Sequence, residues 1–229
     1  MVSASPKVLF LYYTFSQQTL MVIEAMAEVL RGRGCEVTLA KIDFTEPRYA
    51  ERFSSFPFRQ VFLDLMWMLP AQARKATGEF KVSPSAMAGV YDYICIGSPT
   101  WWLTTCMPVR SFLRSDMAKK LFDGTRFSAF AVCRRYWGFN LKTLERLGKA
   151  QGGSFVTGTY FVHAGGQVMS MLSLLSFLSK GEDRPRYLGI PIPSASLKPD
   201  YRDQSRAFAT DIANRLGCDQ KSTAIERAP

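Results

Sequence analysis

The sequence has few of the residues on which metal centres and disulfide frameworks depend. Its 229 residues include one histidine and an odd number of cysteines, none of which forms a CxxC pair: Cys35, Cys95, Cys106, Cys133 and Cys218. A lone histidine cannot build a multi-histidine metal site, and unpaired thiols are typical of a reducing compartment. We therefore expect no metal and a cytoplasmic protein, with a peripheral position at the inner face of the membrane as the alternative.

The sequence also lacks the common phosphate-binding motifs and a membrane span. Neither a Walker loop ending in GKS or GKT nor GxGxxG occurs, and no GxSxG marks a hydrolase. No uncharged apolar run reaches the ~20 residues that a spanning helix needs. The net charge is +10, but the cations are scattered and no nucleic-acid-binding motif accompanies them. We expect no nucleic-acid partner, and the charge is either a solvated surface or an attraction to an anionic membrane or ligand.

What is present is an alternation of strand and helix patterns. Apolar runs predict strands at residues 7–13, 36–42, 91–97, 127–133 and 156–163, and helices are predicted near residues 17–33, 140–151 and 200–216. In the first helix, Leu20, Ile23, Ala27 and Leu30 fall on one face. The alternation predicts an α/β fold with a doubly wound, five-stranded parallel sheet and helices on both faces. Ligands of such sheets bind beyond the carboxyl ends of the strands.

Two apolar stretches exceed what a minimal fold of this class requires. Residues 44–90 include FPFRQVFLDLMWMLP, and residues 164–199 include QVMSMLSLLSFLSKGEDRPR. We expect one domain over residues 1–217 with these two inserts, followed by a flexible tail at 218–229. The uncharged segment 168–178 is either a helix buried in the core or at a homodimer seam, or an interfacial helix that covers a hydrophobic substrate near lipid.

Three loops at predicted strand ends carry polar or aromatic residues. YYTFSQQT (12–19) brings Thr14, Ser16 and Thr19 to a helix N-terminus, where N–H groups bind anions, although hydroxyl residues are also common as plain caps. GSPTWWLTT (97–105) places Trp101 and Trp102 at the next loop, and RRYWGFN (134–140) adds further aromatic rings and two arginines. Hydroxyls for a phosphate beside aromatics for a flat ring fit a riboflavin phosphate better than a sugar nucleotide.

On these loops the chain resembles the flavodoxin-like family of FMN proteins. YYTFSQQT resembles the family's phosphate loop, with Gln17 where the family usually has glycine, and GSPTWW and CRRYWG resemble its third- and fourth-strand flavin loops. The resemblance covers roughly residues 7–163. It implies FMN as cofactor, held by these residues: Thr14, Phe15, Ser16, Gln17, Gln18, Thr19, Ser98, Pro99, Thr100, Trp101, Trp102, Cys133, Arg134, Tyr136 and Trp137.

Within the family, GSPxWW is frequent in quinone reductases, and the C-terminal part is similar to menaquinone-dependent protoporphyrinogen dehydrogenases. The resemblance implies an oxidoreductase that passes electrons from NAD(P)H to a small quinone-like or aromatic acceptor. His163, at a strand end, is the candidate for proton delivery or for stabilising negative charge, with Tyr136 as a second catalytic candidate; a plain strand-end histidine is the alternative. An electron-transfer flavodoxin, or a binding protein that has lost FMN, is the alternative function.

Overall fold

The computed structural model describes residues 5–53 and 56–218. In chain order the strands are β1 (Lys7–Tyr12), β2 (Glu36–Lys41), β3 (Asp43–Phe44), β4 (Phe80–Lys81), β5 (Tyr93–Trp101), β6 (Thr104–Thr105), β7 (Arg126–Cys133), β8 (Ser154–Val162), β9 (Arg186–Tyr187) and β10 (Ile190–Pro191). The helices are α1 (Gln18–Gly32), α2 (Pro47–Phe53), α3 (Val61–Ala73), α4 (Pro84–Met87), α5 (Met107–Phe112), α6 (Asp116–Phe122), α7 (Trp137–Ala150), α8 (Gln167–Lys180) and α9 (Tyr201–Leu216).

Five parallel strands form the main sheet in the order β2-β1-β5-β7-β8, which confirms the predicted fold class. The chain enters the sheet at β1, moves outward to the edge strand β2 and then crosses back over β1 to β5. This reversal of direction lies between β1 and β5, so their carboxyl ends border the crevice where ligands of such sheets bind. A short strand, β6, adds an antiparallel hairpin to the end of β5.

The central strands are apolar throughout because both faces of the sheet are covered. Along β1 the side chains alternate: Val8 and Phe10 pack toward α1 and α9, whereas Leu9 and Leu11 pack toward the helices of the opposite face. All four are fully buried. The two-residue period of a strand thus supplies both layers of the core from one apolar run.

Helix α1 forms as its periodicity predicts. Ile23, Ala27 and Leu30 are fully buried, and Leu20 is partly buried beside them. Gly34 follows the helix with a φ of 84°, a left-handed conformation that glycine adopts without a steric cost.

The two apolar inserts pack against each other. The first contains α2, α3, β4 and α4, and the second contains α8, β9 and β10. The Phe58 amide donates a hydrogen bond of 2.7 Å to the Leu178 carbonyl, and the rings of Phe56 and Phe177 lie 5.0 Å apart. Within the described ranges, no helix is both long and apolar enough to cross a membrane.

The predicted tail starts at Cys218, which is the last residue that the structure describes. Cys218 is buried, and its Sγ lies 2.9 Å from the Sγ of Cys35, so it belongs to the packed structure. Residues 219–229, the rest of the predicted tail, lie outside the described residues.

Candidate functional site

A cavity of about 740 Å³ lies where the loops after β1, β5, β7 and β8 meet the two inserts. All of the predicted site residues line it except Gln17, Ser98 and Trp137. Parallel strands bring their carboxyl ends to one edge of the sheet, which is why loops more than a hundred residues apart in sequence share this space.

The turn between β1 and α1 forms one end of the cavity. Thr14, Ser16 and Thr19 line it, and the Thr14 Oγ1 is buried without a hydrogen-bond partner in the described part of the chain. Gln17 precedes the helix with a φ of 62°, and its side chain is exposed and forms no cap hydrogen bond. The left-handed backbone explains why a glycine is favoured here. Because the side chain points to solvent, Gln17 does not crowd the cavity.

The β5–β6 hairpin forms a second wall. Its two turn residues, Trp102 and Leu103, both have positive φ (41° and 69°), as a tight two-residue hairpin turn requires. Neither residue is the glycine or asparagine that usually occupies such a turn, so the backbone here is strained. Trp101, just before the turn, packs against Phe53 at 4.9 Å and edge-on to Tyr13 at 5.5 Å.

Two buried side chains that the sequence analysis did not single out hold this hairpin in place. Gln72, at the end of α3, donates from Nε2 to the carbonyls of Trp101 (2.9 Å) and Thr105 (2.8 Å). Its Oε1 accepts from Arg110 Nη2 at 2.9 Å, and Arg110 also donates to the carbonyls of Thr105 and Ala76. Arg110 is 1% exposed, and burial lowers its pKa to about 10, so it stays charged at neutral pH. The first insert thereby fixes the tryptophan loop.

Asn140 also fixes this hairpin. It is fully buried in α7, and its Nδ2 donates to Thr100 Oγ1 (2.8 Å) and to the Ser98 carbonyl (3.2 Å). Its Oδ1 accepts from Thr105 Oγ1 at 2.7 Å. A buried amide with both ends paired specifies one arrangement of its neighbours.

The two aromatic residues after β7 do not act together. Tyr136 precedes α7 with a φ of 59° and contributes its half-exposed ring to the cavity. Trp137 turns away and stacks on Tyr160, with ring centres 3.9 Å apart and planes within 4°. Of the two rings, only that of Tyr136 therefore lines the cavity.

His163 lies in a hydrogen-bond network at the end of β8. Its Nδ1 is 2.8 Å from the Cys133 carbonyl, and its Nε2 contacts Gln18 Oε1. Gln18 Nε2 in turn donates to the Ala195 carbonyl at 3.2 Å. Burial and the nearby charge of Arg134 lower the pKa of His163 to about 4, against the opposing effect of the Cys133 carbonyl. The imidazole is therefore neutral at pH 7, so it carries one N–H and donates to only one of these two oxygens.

The thiols around the site are unreactive. Cys133 lines the cavity, and burial raises its pKa to about 12. Burial likewise raises the pKa of Cys95 and Cys106. Since the thiolate is the nucleophilic form, these cysteines act as small apolar residues. In the part of the chain that the structure describes, no group of three or more histidine, cysteine, aspartate or glutamate residues could hold a metal ion.

The part of the cavity lined by the two inserts is almost entirely apolar. Its walls come from α3 (Phe62, Leu65, Met66) and α8 (Met171, Leu174, Leu175). The serines of α8 at 170, 173 and 176 face inward and are buried. The uncharged segment 168–178, for which the sequence left several surroundings open, thus forms a wall of the cavity, and its serines lie on the buried side.

Known proteins resemble this chain in structure but not in sequence. No protein-family model matches the sequence, and no curated protein matches it. A flavoprotein from Lactobacillus acidophilus, solved in complex with FMN, aligns at a TM-score of 0.51 and 18% identity over 68% of this chain and 93% of its own. A flavodoxin from an archaeon aligns at a TM-score of 0.49 and 12% identity, over 92% and 99% of the two chains. The first likeness and the strand order show a flavodoxin-like fold.

Proposed function

We propose that the protein is an FMN-dependent oxidoreductase that passes electrons from NAD(P)H to a quinone-like or other aromatic acceptor. The observation that carries the proposal is the cavity at the strand ends, with hydroxyl groups at one end and large aromatic rings beside them. The structurally similar flavoprotein from Lactobacillus acidophilus was solved in complex with FMN, which supports the same cofactor here.

The turn after β1 fits a phosphate monoester. The orphaned Thr14 Oγ1 is buried in the cavity wall, and a buried hydroxyl without a partner is costly unless a ligand completes it. Ser16 and Thr19 add two hydroxyls, and α1 directs its first-turn N–H groups and positive dipole end to the same place. These residues would hold the phosphate.

The neighbouring loops fit a flat ring system. Trp101, Trp102 and Tyr136 line the cavity, and the bonds from Gln72 and Asn140 fix the tryptophan hairpin before any ligand arrives. Preorganised walls lower the entropic cost of binding. When bound, FMN supplies the hydride and electron-transfer chemistry, while the protein orients the ring and excludes water.

His163 is better suited to positioning than to acid catalysis. Both of its ring nitrogens are directed at protein oxygens, and its pKa lies well below neutral pH. With its single N–H on Nε2 it would donate to Gln18 Oε1, beside the proposed phosphate site, rather than carry a charge. Tyr136 remains the candidate for direct contact with the acceptor because its ring is half exposed within the cavity.

The apolar chamber between α3 and α8 favours an enzyme over an electron carrier. A carrier needs only an exposed flavin edge, whereas this cavity continues past the aromatic loops into walls of leucine, methionine and phenylalanine. Such a chamber can bury a small aromatic molecule next to the ring.

The exposed side of α3 also supports a peripheral membrane contact. Phe62, Leu63 and Trp67 on α3 are 64%, 57% and 56% exposed, on one face of the helix. Cations at Arg59 and Arg74 flank that helix and are exposed. Apolar residues beside cations are the pattern of an interfacial helix on an anionic lipid surface, from which an apolar acceptor could be drawn.

Steady-state oxidation of NADPH or NADH by the FMN-loaded protein tests the function. We expect oxidation to depend on an added soluble quinone and to fall in a Thr14→Val variant. Thr143→Val is the matched control, because Thr143 of α7 does not line the cavity. FMN binding without quinone-dependent turnover would indicate an electron carrier. Failure to bind FMN would indicate a binding protein that has lost its cofactor.

A further inference from the structure

The residue that stands out in the cavity is Arg134, the first residue after β7. Its Nε and Nη1 are buried from solvent and have no hydrogen-bond partner in the described ranges. Only Nη2 is bonded, through a long 3.4 Å contact with the Ala195 carbonyl. Three of the five N–H donors of a guanidinium, one on Nε and two on Nη1, are thus unused.

This arrangement is costly for a group that serves only the fold. None of the ion pairs formed within the described residues includes Arg134. The negative charge of Asp183 favours the ionised guanidinium, but Asp183 Oδ1 accepts a hydrogen bond of 2.8 Å from the Ala195 amide. Burial lowers the pKa of Arg134 to about 10, so it is still a cation at neutral pH. Buried cations are normally paired or fully hydrogen-bonded.

Arg110 provides the internal comparison. Arg110 is 1% exposed, whereas Arg134 is partly exposed as a residue although its Nε and Nη1 are buried. Arg110 has no carboxylate partner among the described ion pairs, yet each of its three guanidinium nitrogens donates to a protein oxygen at 2.9 Å. Its role is structural and its donors are satisfied. Arg134 lines the cavity and its donors are not.

We propose that Arg134 binds an anionic group of a ligand inside the cavity, either the phosphate of the cofactor or a carboxylate on the electron acceptor. Its neighbours place it close to the proposed phosphate turn, because Arg134 and Gln18 bond the same carbonyl, that of Ala195. Thr14, which lines the same cavity, offers a second unpaired donor. The inference rests on the proposed function in naming FMN, but the need for an anion follows from Arg134 alone.

The test compares Arg134→Met with Arg146→Met, an exposed arginine of α7 that does not line the cavity. The first readout is the affinity for FMN and for riboflavin, measured by flavin fluorescence. If Arg134 binds the cofactor phosphate, Arg134→Met weakens FMN binding by about 10- to 100-fold and leaves riboflavin binding unchanged. The second readout is the KM for a carboxylated quinone and for its methyl ester. If Arg134 binds the acceptor, FMN affinity is unchanged and KM rises for the acid only.

Thermal melting separates a ligand-binding role from a structural one. Without ligand, Arg134→Met should melt at the same temperature as the wild type or higher, because it removes an unpaired buried charge. Inorganic phosphate should raise the melting temperature of the wild type and Arg146→Met more than that of Arg134→Met, relative to chloride at equal ionic strength.

The outcomes distinguish this inference from the proposed function. The anion site would be overturned if Arg134→Met and the wild type had the same FMN affinity, the same KM for the carboxylated quinone and the same rise in melting temperature with phosphate. That result would leave the proposed FMN enzyme intact. If the wild type bound no FMN, the phosphate melts would still decide the anion site. A large loss of stability in ligand-free Arg134→Met would also count against it, since that result assigns Arg134 to the fold.

Discussion

Gln72 couples the first insert to the tryptophan hairpin, and its replacement by leucine should measure that coupling. Leucine has a similar volume but no hydrogen-bonding group. The Trp101 carbonyl would lose its Gln72 donor, and Arg110 Nη2 would lose its acceptor, whereas the Thr105 carbonyl would keep Arg110 Nη1. Each buried polar group left unpaired costs about 1–3 kcal/mol, and the added apolar surface offsets part of this. We expect the free energy of unfolding to fall by about 3 kcal/mol.

Urea denaturation of the ligand-free protein gives that free energy, and flavin fluorescence gives the FMN affinity. Because Trp101 would be held less firmly, FMN affinity should fall about tenfold. Gln204→Leu, on the exposed side of α9, should stay within about 0.5 kcal/mol of the wild type. Gln72→Glu keeps an acceptor for Arg110 and loses both donors, so it should retain more stability than Gln72→Leu but bind FMN as weakly. If Gln72→Leu left both quantities at their wild-type values, the coupling would be refuted.

Three further changes test separate parts of the structure. The pKa of His163 is lowered from 6.5 to about 4 in the folded protein, so the unfolded chain takes up the proton first as the pH falls. The free energy of unfolding should therefore fall by up to about 3 kcal/mol between pH 6.5 and pH 4. In acid titrations, His163→Gln should flatten that pH dependence. Gln17→Gly should raise the free energy of unfolding by about 0.5 kcal/mol because it relieves a left-handed backbone, and a loss of stability would argue against that strain. Gly97→Ala should cost about 3 kcal/mol in chemical denaturation, since its Cβ would lie 2.2 Å from Cζ of the fully buried Phe130; Gly138→Ala, where nothing lies within 4 Å, should be neutral or slightly stabilising.

The five-stranded sheet could be predicted because each of its strands corresponds to a continuous apolar run in the sequence. Lys7–Tyr12 and Arg126–Cys133 differ from the predicted bounds by one residue at a single end. The β5–β6 hairpin could not be predicted, because its turn is Trp102–Leu103 and carries none of the glycine or asparagine that marks such turns. Strand-end position in a parallel sheet was enough to place the three loops at one cavity.

The supporting residues of the site were missed for a different reason. Gln72, Arg110 and Asn140 act through hydrogen bonds to residues mostly about 30 to 40 positions away, and no local pattern records such bonds. A glutamine or an arginine within a helical pattern usually faces solvent. Trp137 shows the converse error: adjacency to Tyr136 suggested a shared role, but the side chains of neighbouring residues point in different directions.

The central claim is that the cavity at the ends of β1, β5 and β7 binds FMN. Titration of the purified, flavin-free protein with FMN, followed by quenching of flavin fluorescence, tests it most directly. We expect saturation at one FMN per chain and about tenfold weaker binding in Thr14→Val, with Thr143→Val unchanged. The absence of saturable FMN binding by the wild-type protein would contradict the claim.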